Sequence, residues 1–319
     1  MQRFIFRRVI QSLGLLLAIS FIAFMIIHLA PGGPETKFFG DPRLKPEDIK
    51  AIRAQYGLDD PLPIQYVKWL SNAVHLDFGR SYESFYPVTD EILKALPNTL
   101  LLVTAGTILG FLGIPLGIFI ARRRGSFADK AVRVITVAGS AIPNWWLALL
   151  ILLGTSNLAI ATGIKILPLP GFNAANDGNV GYFIWQLVLP TLLIAFLGWL
   201  SYSRITRSQV LDVLSQDYVR TARAKGVPEK DINRHHILRN ALIPLVTVFG
   251  QLLPTLIGGA IIFERIFALP GIGKLTIDSL TRSDYPVAIG VLMFVSIFSV
   301  FGLLISDILY GLVDPRVRY

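Results

Sequence analysis

The chain has 319 residues, of which 53% are hydrophobic and only 16% are charged, whereas a soluble domain carries about 25% charged residues. This composition excludes a disordered chain and an ordinary cytosolic enzyme. The formal net charge is +9 and there is no cysteine, which excludes disulfides, cysteine-based metal sites and thiol nucleophiles.

Six long stretches of the sequence contain no Asp, Glu, Lys or Arg. They are 22 to 31 residues long and occupy positions 9–34, 95–121, 134–164, 178–203, 240–263 and 285–306. A helix that crosses a bilayer needs about 20 mostly apolar residues. The sequence therefore predicts an all-α polytopic membrane protein with six transmembrane helices, placed at about 1–30, 98–121, 134–157 (with Pro143 inside), 183–203, 241–263 and 287–313. The first apolar stretch is longer than that of a signal peptide, so we expect an uncleaved span.

The charges between these stretches indicate an orientation. The segments that face the same side as the N-terminus sum to +11, and those on the other side sum to −2. Loops rich in Lys and Arg remain cytoplasmic. We therefore predict that both termini are inside (N-in/C-in), and that the basic character reports topology rather than nucleic-acid binding.

Three parts follow from this arrangement. We expect residues 1–30 to form a cytoplasmic N-terminus and the first transmembrane helix, residues 31–97 an extracytoplasmic cap, and residues 98–319 a core with five transmembrane helices. Pro46–Tyr56 and Pro63–His75 are predicted as short helices of the cap, because proline suits a first helical position. The second has one apolar face, formed by Ile64, Val67, Leu70 and Val74.

The second predicted span carries a stripe of glycines. Gly106, Gly110, Gly113 and Gly117 recur at helical spacing, so they lie on one face of the helix. Small residues allow two membrane helices to approach closely. We therefore predict a helix-packing face here.

The segment 204–239 is too long for a simple turn and lies on the predicted cytoplasmic side. Residues 210–225 favour a helix, Gly226 ends it, and Pro228 starts a second one. A basic helix lying at the membrane surface binds anionic lipid in some proteins and docks in a partner's groove in others. The residues alone do not separate these two readings.

Several motifs in chain order resemble those of the dipeptide/oligopeptide ABC transporter permease family. The motif at 217–226 (DYVRTARAKG) is similar to that family's coupling motif. The others are 4–8 (FIFRR), 28–32 (HLAPG), 56–59 (YGLD), 238–244 (LRNALIP), 266–273 (IFALPGIG), 282–286 (RSDYP) and 314–318 (DPRVR). Together they cover nearly the whole chain.

The resemblance implies a type I ABC importer permease (MetI-like) fold in a prokaryotic plasma (inner) membrane. It implies four kinds of partner: a homologous second permease subunit in a heterodimer, two ATP-binding subunits, an extracytoplasmic substrate-binding protein, and membrane lipid. ATP and Mg would be bound by the partner ATPase subunits, with no cofactor, metal site or catalytic residue in this chain. The ATPase-coupling residues implied are Asp217, Tyr218, Arg220, Thr221, Ala222, Arg223, Lys225 and Gly226.

The family's general motif begins Glu-Ala-Ala, and the matching positions here are Arg220, Thr221 and Ala222. The ion pair that such a Glu makes therefore does not carry over. Arg220, Arg223 and Lys225 are expected to pair with acidic groups of the ATPase subunit, while Ala222 and Ala224 permit close approach. Gly226 allows a left-handed turn.

The function that follows is import of di- or oligopeptides delivered by the binding protein. Similar permeases take other solutes, such as a nickel chelate, glutathione or an oligosaccharide, so the substrate stays open. A self-sufficient secondary transporter is the less favoured alternative. Such carriers usually place acidic residues inside their spans, and the six uncharged stretches contain none.

Overall fold

The computed structural model of the chain describes residues 2–29, 57–163, 180–242 and 260–313, with positions 47, 50, 53, 54, 255 and 256. Regular structure within these residues is helical, apart from an isolated bridge between Arg80 and Pro87. The main helices are α1 (Gln2–Leu29), α2 (Leu62–Val74), α3 (Val88–Gly110), α4 (Gly113–Arg122), α5 (Phe127–Ala141), α6 (Asn144–Thr162), α7 (Val180–Leu214), α8 (Asp217–Ala224), α9 (Ile261–Ile266), α10 (Ile272–Thr281) and α11 (Tyr285–Val313). Between α8 and α9 a helical segment at 229–241 consists of Glu229–Asp231, the π-helix Ile232–Leu238 and Arg239–Ala241.

Five stretches of helix in the described residues are long and apolar enough to cross a membrane. They are Phe6–Ile26, Val88–Arg122, Asn144–Thr162, Gly181–Leu214 and Tyr285–Asp307. These correspond to the first, second, third, fourth and sixth predicted spans, which confirms the all-α polytopic class. Most of the predicted fifth span, at 241–263, lies outside the described residues. The count of six and the N-in/C-in topology stay predictions.

The prediction of one third span at 134–157 with Pro143 inside it is wrong. Helix α5 ends at Ala141, Ile142 is extended (φ −85°, ψ 126°), and Pro143 caps the start of α6. A residue that precedes proline is driven out of the helical region by the proline ring. The apolar stretch is therefore divided, and the span is α6.

The second predicted span begins earlier than the expected Asn98. Helix α3 starts at Val88 and continues through Pro97, so the boundary proposed between residues 97 and 98 falls inside a helix. Proline removes one hydrogen bond of a helix, a loss that membrane helices can make good elsewhere. The uncharged stretch marks only the apolar part of this longer helix.

The described chain divides into two compact units. The first contains Met1–Thr99, Leu253–Arg265 and Pro270–Tyr319, and the second contains Leu100–Leu252 and Ile266–Leu269. A buried cluster in the first unit joins α3, α10 and α11 through Val88, Ile92, Ile272 and Val291. In the second unit α4 and α5 both pack on α7.

Helix α2 confirms the predicted helix at Pro63–His75, but the side that it buries differs from the predicted apolar face. Ala73 is buried and Trp69 is half-buried in the first unit, whereas Ile64, Val67 and Val74 are exposed. The predicted helix at Pro46–Tyr56 lies mostly outside the described residues, as does the terminal motif at 314–318.

Candidate coupling site

The segment after α7 forms a short helix, a glycine turn and a second helix, all within the second unit. The expectation of one helix over 210–225 is wrong, because α7 ends at Leu214 and Gln216 is extended (φ −74°, ψ 145°). Helix α8 then begins at Asp217, whose negative charge suits a helix N-terminus. The predicted stop at Gly226 and restart after Pro228 are confirmed.

Gly226 ends α8 in a way that only glycine accommodates readily. Its φ is +73°, in the left-handed region that costs other residues about 1–2 kcal/mol. The Gly226 N–H donates to the Arg223 carbonyl at 2.9 Å and the Val227 N–H to the Ala222 carbonyl at 3.2 Å. This pair of bonds is a Schellman motif, which satisfies the last carbonyls of a helix.

One face of α8 is fixed to the rest of the unit. Val219 and Ala222 are buried in a cluster with Val210 of α7 and with Ile232 and Ile237 of the second helix. Ala222, one of the predicted coupling residues, therefore contacts the chain itself. It anchors α8 instead of facing outward.

The opposite face of α8 is exposed and mainly basic. It carries the other predicted coupling residues, namely Asp217, Tyr218, Arg220, Thr221, Arg223 and Lys225, with Gly226 exposed at its end. The side chains of Arg220 and Asp217 are 73% and 97% exposed and approach to 3.8 Å. Such a surface pair contributes little to stability, so these charges are available to a partner.

Besides this buried cluster, two side-chain hydrogen bonds connect the second helix to α8. Arg223 Nε donates to Glu229 Oε1 at 2.7 Å across the glycine turn. Asn240 Nδ2 donates to the Tyr218 hydroxyl at 3.3 Å. Arg223 and Tyr218 thus have structural contacts within the chain as well as exposed surface. The two helices present one preformed surface.

An ion pair that the sequence analysis did not single out supports this region. Asp129 near the start of α5 is 1% exposed. It accepts from Arg207 of α7 through Nε at 2.6 Å and Nη2 at 3.0 Å, and from the Gly125 N–H at 3.0 Å. The hydrogen bond from Arg207 lowers the pKa of Asp129 to about 2, against the opposing effect of burial. Asp129 is the single acidic residue in the basic loop 122–133, which was the available signal.

The four glycines at helical spacing all face α7. A Cβ at Gly113 would lie 2.9 Å from the Trp199 Cα, and one at Gly117 would lie 2.6 Å from the Ser203 carbonyl oxygen. Gly110 faces Gly198 in the same way, and Gly106 faces the Ile194 side chain. Because real Cβ atoms do not approach backbone as closely as at Gly113 and Gly117, a larger residue at either position would push α4 away from α7.

The first unit contains another buried carboxylate that the sequence analysis did not single out. Glu264 is 1% exposed. Its Oε1 accepts from Thr99 Oγ1 at 2.8 Å, and its Oε2 accepts from the N–H groups of Gly273 at 2.7 Å and Lys274 at 3.1 Å. Glu264 thus caps the N-terminus of α10, where backbone donors lack partners within the helix. Among the described residues no cluster of His, Asp and Glu could hold a metal ion.

Comparisons with known proteins cover the whole chain. A family model for the binding-protein-dependent transport system inner membrane component matches residues 113–319, and one for the N-terminal part of such membrane components matches residues 1–103. The chain is 40% identical to the oligopeptide transport system permease protein AppB of Bacillus subtilis, over 100% of both chains. It is 36% identical to a putative peptide transport system permease protein of Brucella abortus over 100% of both chains. It is 34% identical to the dipeptide transport system permease protein DppB of Escherichia coli, over 100% of this chain and 99% of that one.

Proposed function

Because this chain belongs to the family of binding-protein-dependent transport system inner membrane components, we propose that it is a permease subunit of an ATP-driven ABC importer for di- or oligopeptides. The relatives named as oligopeptide and dipeptide permeases support the peptide substrate. The observation that carries the coupling role is α8, which is anchored by Val219 and Ala222 and exposes a basic face.

In this proposal the exposed face of α8 docks on an ATP-binding subunit. Arg220 and Lys225 meet acidic groups there, while Arg223 keeps its contact with Glu229. The buried face and the Schellman turn transmit a push on α8 into α7, because Val219 and Ala222 pack on Val210. ATP and Mg are bound by the partner subunits. This chain supplies part of the transport path and the helix α8, which transmits the movement of the ATP-binding subunit.

The assembly that we propose contains a homologous second permease, two ATP-binding subunits and an extracytoplasmic binding protein. The chain crosses a prokaryotic inner membrane six times with both termini inside, so that α8 lies on the ATP side. The binding protein selects the solute. A nickel chelate, glutathione or an oligosaccharide would use the same machinery with a different binding protein.

Uptake into proteoliposomes tests the function. The complete complex should accumulate a labelled dipeptide when the binding protein and ATP are both present, and the chain alone should not. Uptake by the isolated chain without ATP would contradict the proposal and favour a secondary transporter. Competition with unlabelled glutathione, a nickel chelate and an oligosaccharide would show whether the transporter prefers the peptide to these other solutes.

Charge reversal tests the coupling role. Arg220→Glu and Lys225→Glu should reduce ATP-dependent uptake strongly while the protein still inserts and folds, because neither side chain is buried. Arg223→Glu is ambiguous by itself, since it places two acidic groups together at the turn. The double change Arg223→Glu with Glu229→Arg restores the internal pair, so a loss of uptake that persists in it assigns the effect to the partner. Full uptake by all these variants would remove α8 from the coupling mechanism.

A further inference from the structure

Helix α2 in the first unit leaves its most apolar edge uncovered. Ile64, Val67 and Val74 follow one another along the helix and are 47%, 63% and 73% exposed. A soluble cap would turn such a stripe toward its own core. The stripe therefore needs a different explanation.

The buried side of α2 lies against α1. The Tyr66 hydroxyl is 2.8 Å from Ser20 Oγ, and Gln65 Oε1 is 3.2 Å from His28 Nε2. The Trp69 ring lies 6.0 Å from the Phe24 ring, centroid to centroid. These contacts fix α2 along the last turns of α1.

The same contacts give α2 a depth relative to the apolar part of α1. Ser20 lies inside the membrane-spanning window Phe6–Ile26, whereas His28 lies just beyond it. At a helical rise of about 1.5 Å per residue these two positions are about 12 Å apart along α1. Tyr66 thus reaches into the hydrocarbon depth while Gln65 stays at its border, which is the depth of interfacial helices.

A third edge of α2, between the packed side and the apolar stripe, is polar. Lys68 forms an ion pair with Asp60 at 2.6 Å, and Asn72 is exposed beside it. Helix α2 thus has three sides: one packed on the protein, one apolar and one polar. A helix that lies in a membrane interface has this division between lipid and water.

We propose that α2 is an interfacial helix whose Ile64, Val67 and Val74 edge inserts into the lipid leaflet farther from the N-terminus of α1. Lipid is the occupant because the contacts with Ser20 and His28 hold α2 beside the apolar window of α1, whose surface is itself largely exposed. Phe21, itself 50% exposed, packs edge-on against Tyr66 at 5.5 Å between ring centroids. The insertion holds the cap at a fixed depth beside α1.

The absence of cysteine from the chain allows a direct test with spin labels at single introduced cysteines. Val67→Cys and Val74→Cys report on the apolar edge, and Asn72→Cys on the polar edge of the same helix is the matched control. The complete complex is reconstituted in phosphatidylethanolamine–phosphatidylglycerol vesicles. Collision of each label with oxygen, which partitions into lipid, and with a water-soluble nickel complex is then measured.

We expect the ratio of oxygen to nickel accessibility to be several-fold higher at positions 67 and 74 than at position 72. A label at position 67 or 74 that nickel reaches as readily as at position 72 would overturn the proposal, because the edge would then face water. Labels at 67 and 74 shielded from both reagents would also overturn it, since that result indicates a protein partner. A labelled variant that fails to assemble is replaced by Ile64→Cys, which reports on the same edge.

Discussion

Asp129 in the second unit and Glu264 in the first are both 1% exposed, yet they are stabilised in different ways. Asp129 is neutralised by the guanidinium of Arg207. Within the part of the chain that the structure describes, Glu264 accepts from uncharged donors, namely one hydroxyl and two backbone N–H groups at the start of α10. A buried carboxylate can thus be stabilised either by an opposite charge or by the dipoles at a helix N-terminus.

The two arrangements connect different kinds of structure. The Asp129–Arg207 pair joins two long helices, α5 and α7, in the unit that carries the coupling segment. Glu264 joins a short helix, α9, to the N-terminus of α10 and to Thr99 of α3. Removal of the Arg207 guanidinium leaves the Asp129 carboxylate buried as an unpaired charge. A change at Glu264 leaves only uncharged donors without an acceptor, namely the Thr99 hydroxyl and the N–H groups of α10. We therefore expect the first kind of change to cost more.

The largest effect is expected for Arg207→Ala. It leaves the Asp129 carboxylate buried without its cation, a change that costs about 3–5 kcal/mol of stability. The free energy of unfolding in mixed micelles measures it. The double variant Arg207→Met with Asp129→Leu should recover a large part of the loss, because no charge is then left in the interior. No recovery would contradict the role given to the pair.

Glu264→Gln should have the next largest effect. The amide keeps the shape but replaces one acceptor oxygen by an N–H₂ group, so that either the Thr99 hydroxyl hydrogen or the N–H groups of α10 lose their acceptor. A buried donor without an acceptor costs about 1–3 kcal/mol. Glu83→Gln is the matched control, since Glu83 pairs with Arg282 at the surface. Equal stability of the two variants would show that Glu264 is not the cap of α10.

Acid should weaken the Asp129–Arg207 pair. The pKa of Asp129 is lowered to about 2 in the folded chain, below the ordinary value of about 3.9. Its contribution is therefore complete above pH about 4 and is lost as the pH falls toward about 2. The stability difference between the native chain and Asp129→Asn should shrink over that interval. A constant difference would contradict the lowered pKa.

The smallest effect is expected for Arg133→Ala. Arg133 Nε is 4.0 Å from Asp129 Oδ2 and its side chain is 54% exposed, so it resembles a surface pair worth about 0–1 kcal/mol. The change in unfolding free energy should be far smaller than for Arg207→Ala. Similar losses for the two arginines would show that Asp129 depends on the net positive charge around it and not on the bidentate contact.

The parts of the fold that depend on composition were predictable. Uncharged stretches located the five helices of the described chain that are long and apolar enough to cross a membrane, because a charged side chain is costly in lipid. The main error was the prediction of one continuous helix through Pro143. A proline in an apolar stretch is compatible either with a kinked helix or with two separate helices. The turn at Gln216 was missed for a similar reason, because nothing in the local residues disfavours a continuous helix there.

The coupling segment was partly predictable because its turn is determined by neighbouring residues in the sequence. Gly226 and Pro228 mark the two helix boundaries by their own backbone preferences. The burial of Ala222 was not predictable, since it depends on Ile232 and Ile237 folding back over α8. Asp129 and Glu264 have partners 78 and 165 residues away in sequence, at Arg207 and Thr99. Such contacts are set by tertiary packing, so the local sequence does not identify the partner of either carboxylate.

The central claim is that the exposed face of α8 contacts the ATP-binding subunit. A photoreactive amino acid at Arg220, in a complex that still transports, tests it most directly, with the same probe at Glu83 on the predicted extracytoplasmic side as control. We predict a light-dependent adduct with the ATP-binding subunit from position 220 and none from position 83. Active complexes that give no such adduct from position 220 would contradict the account.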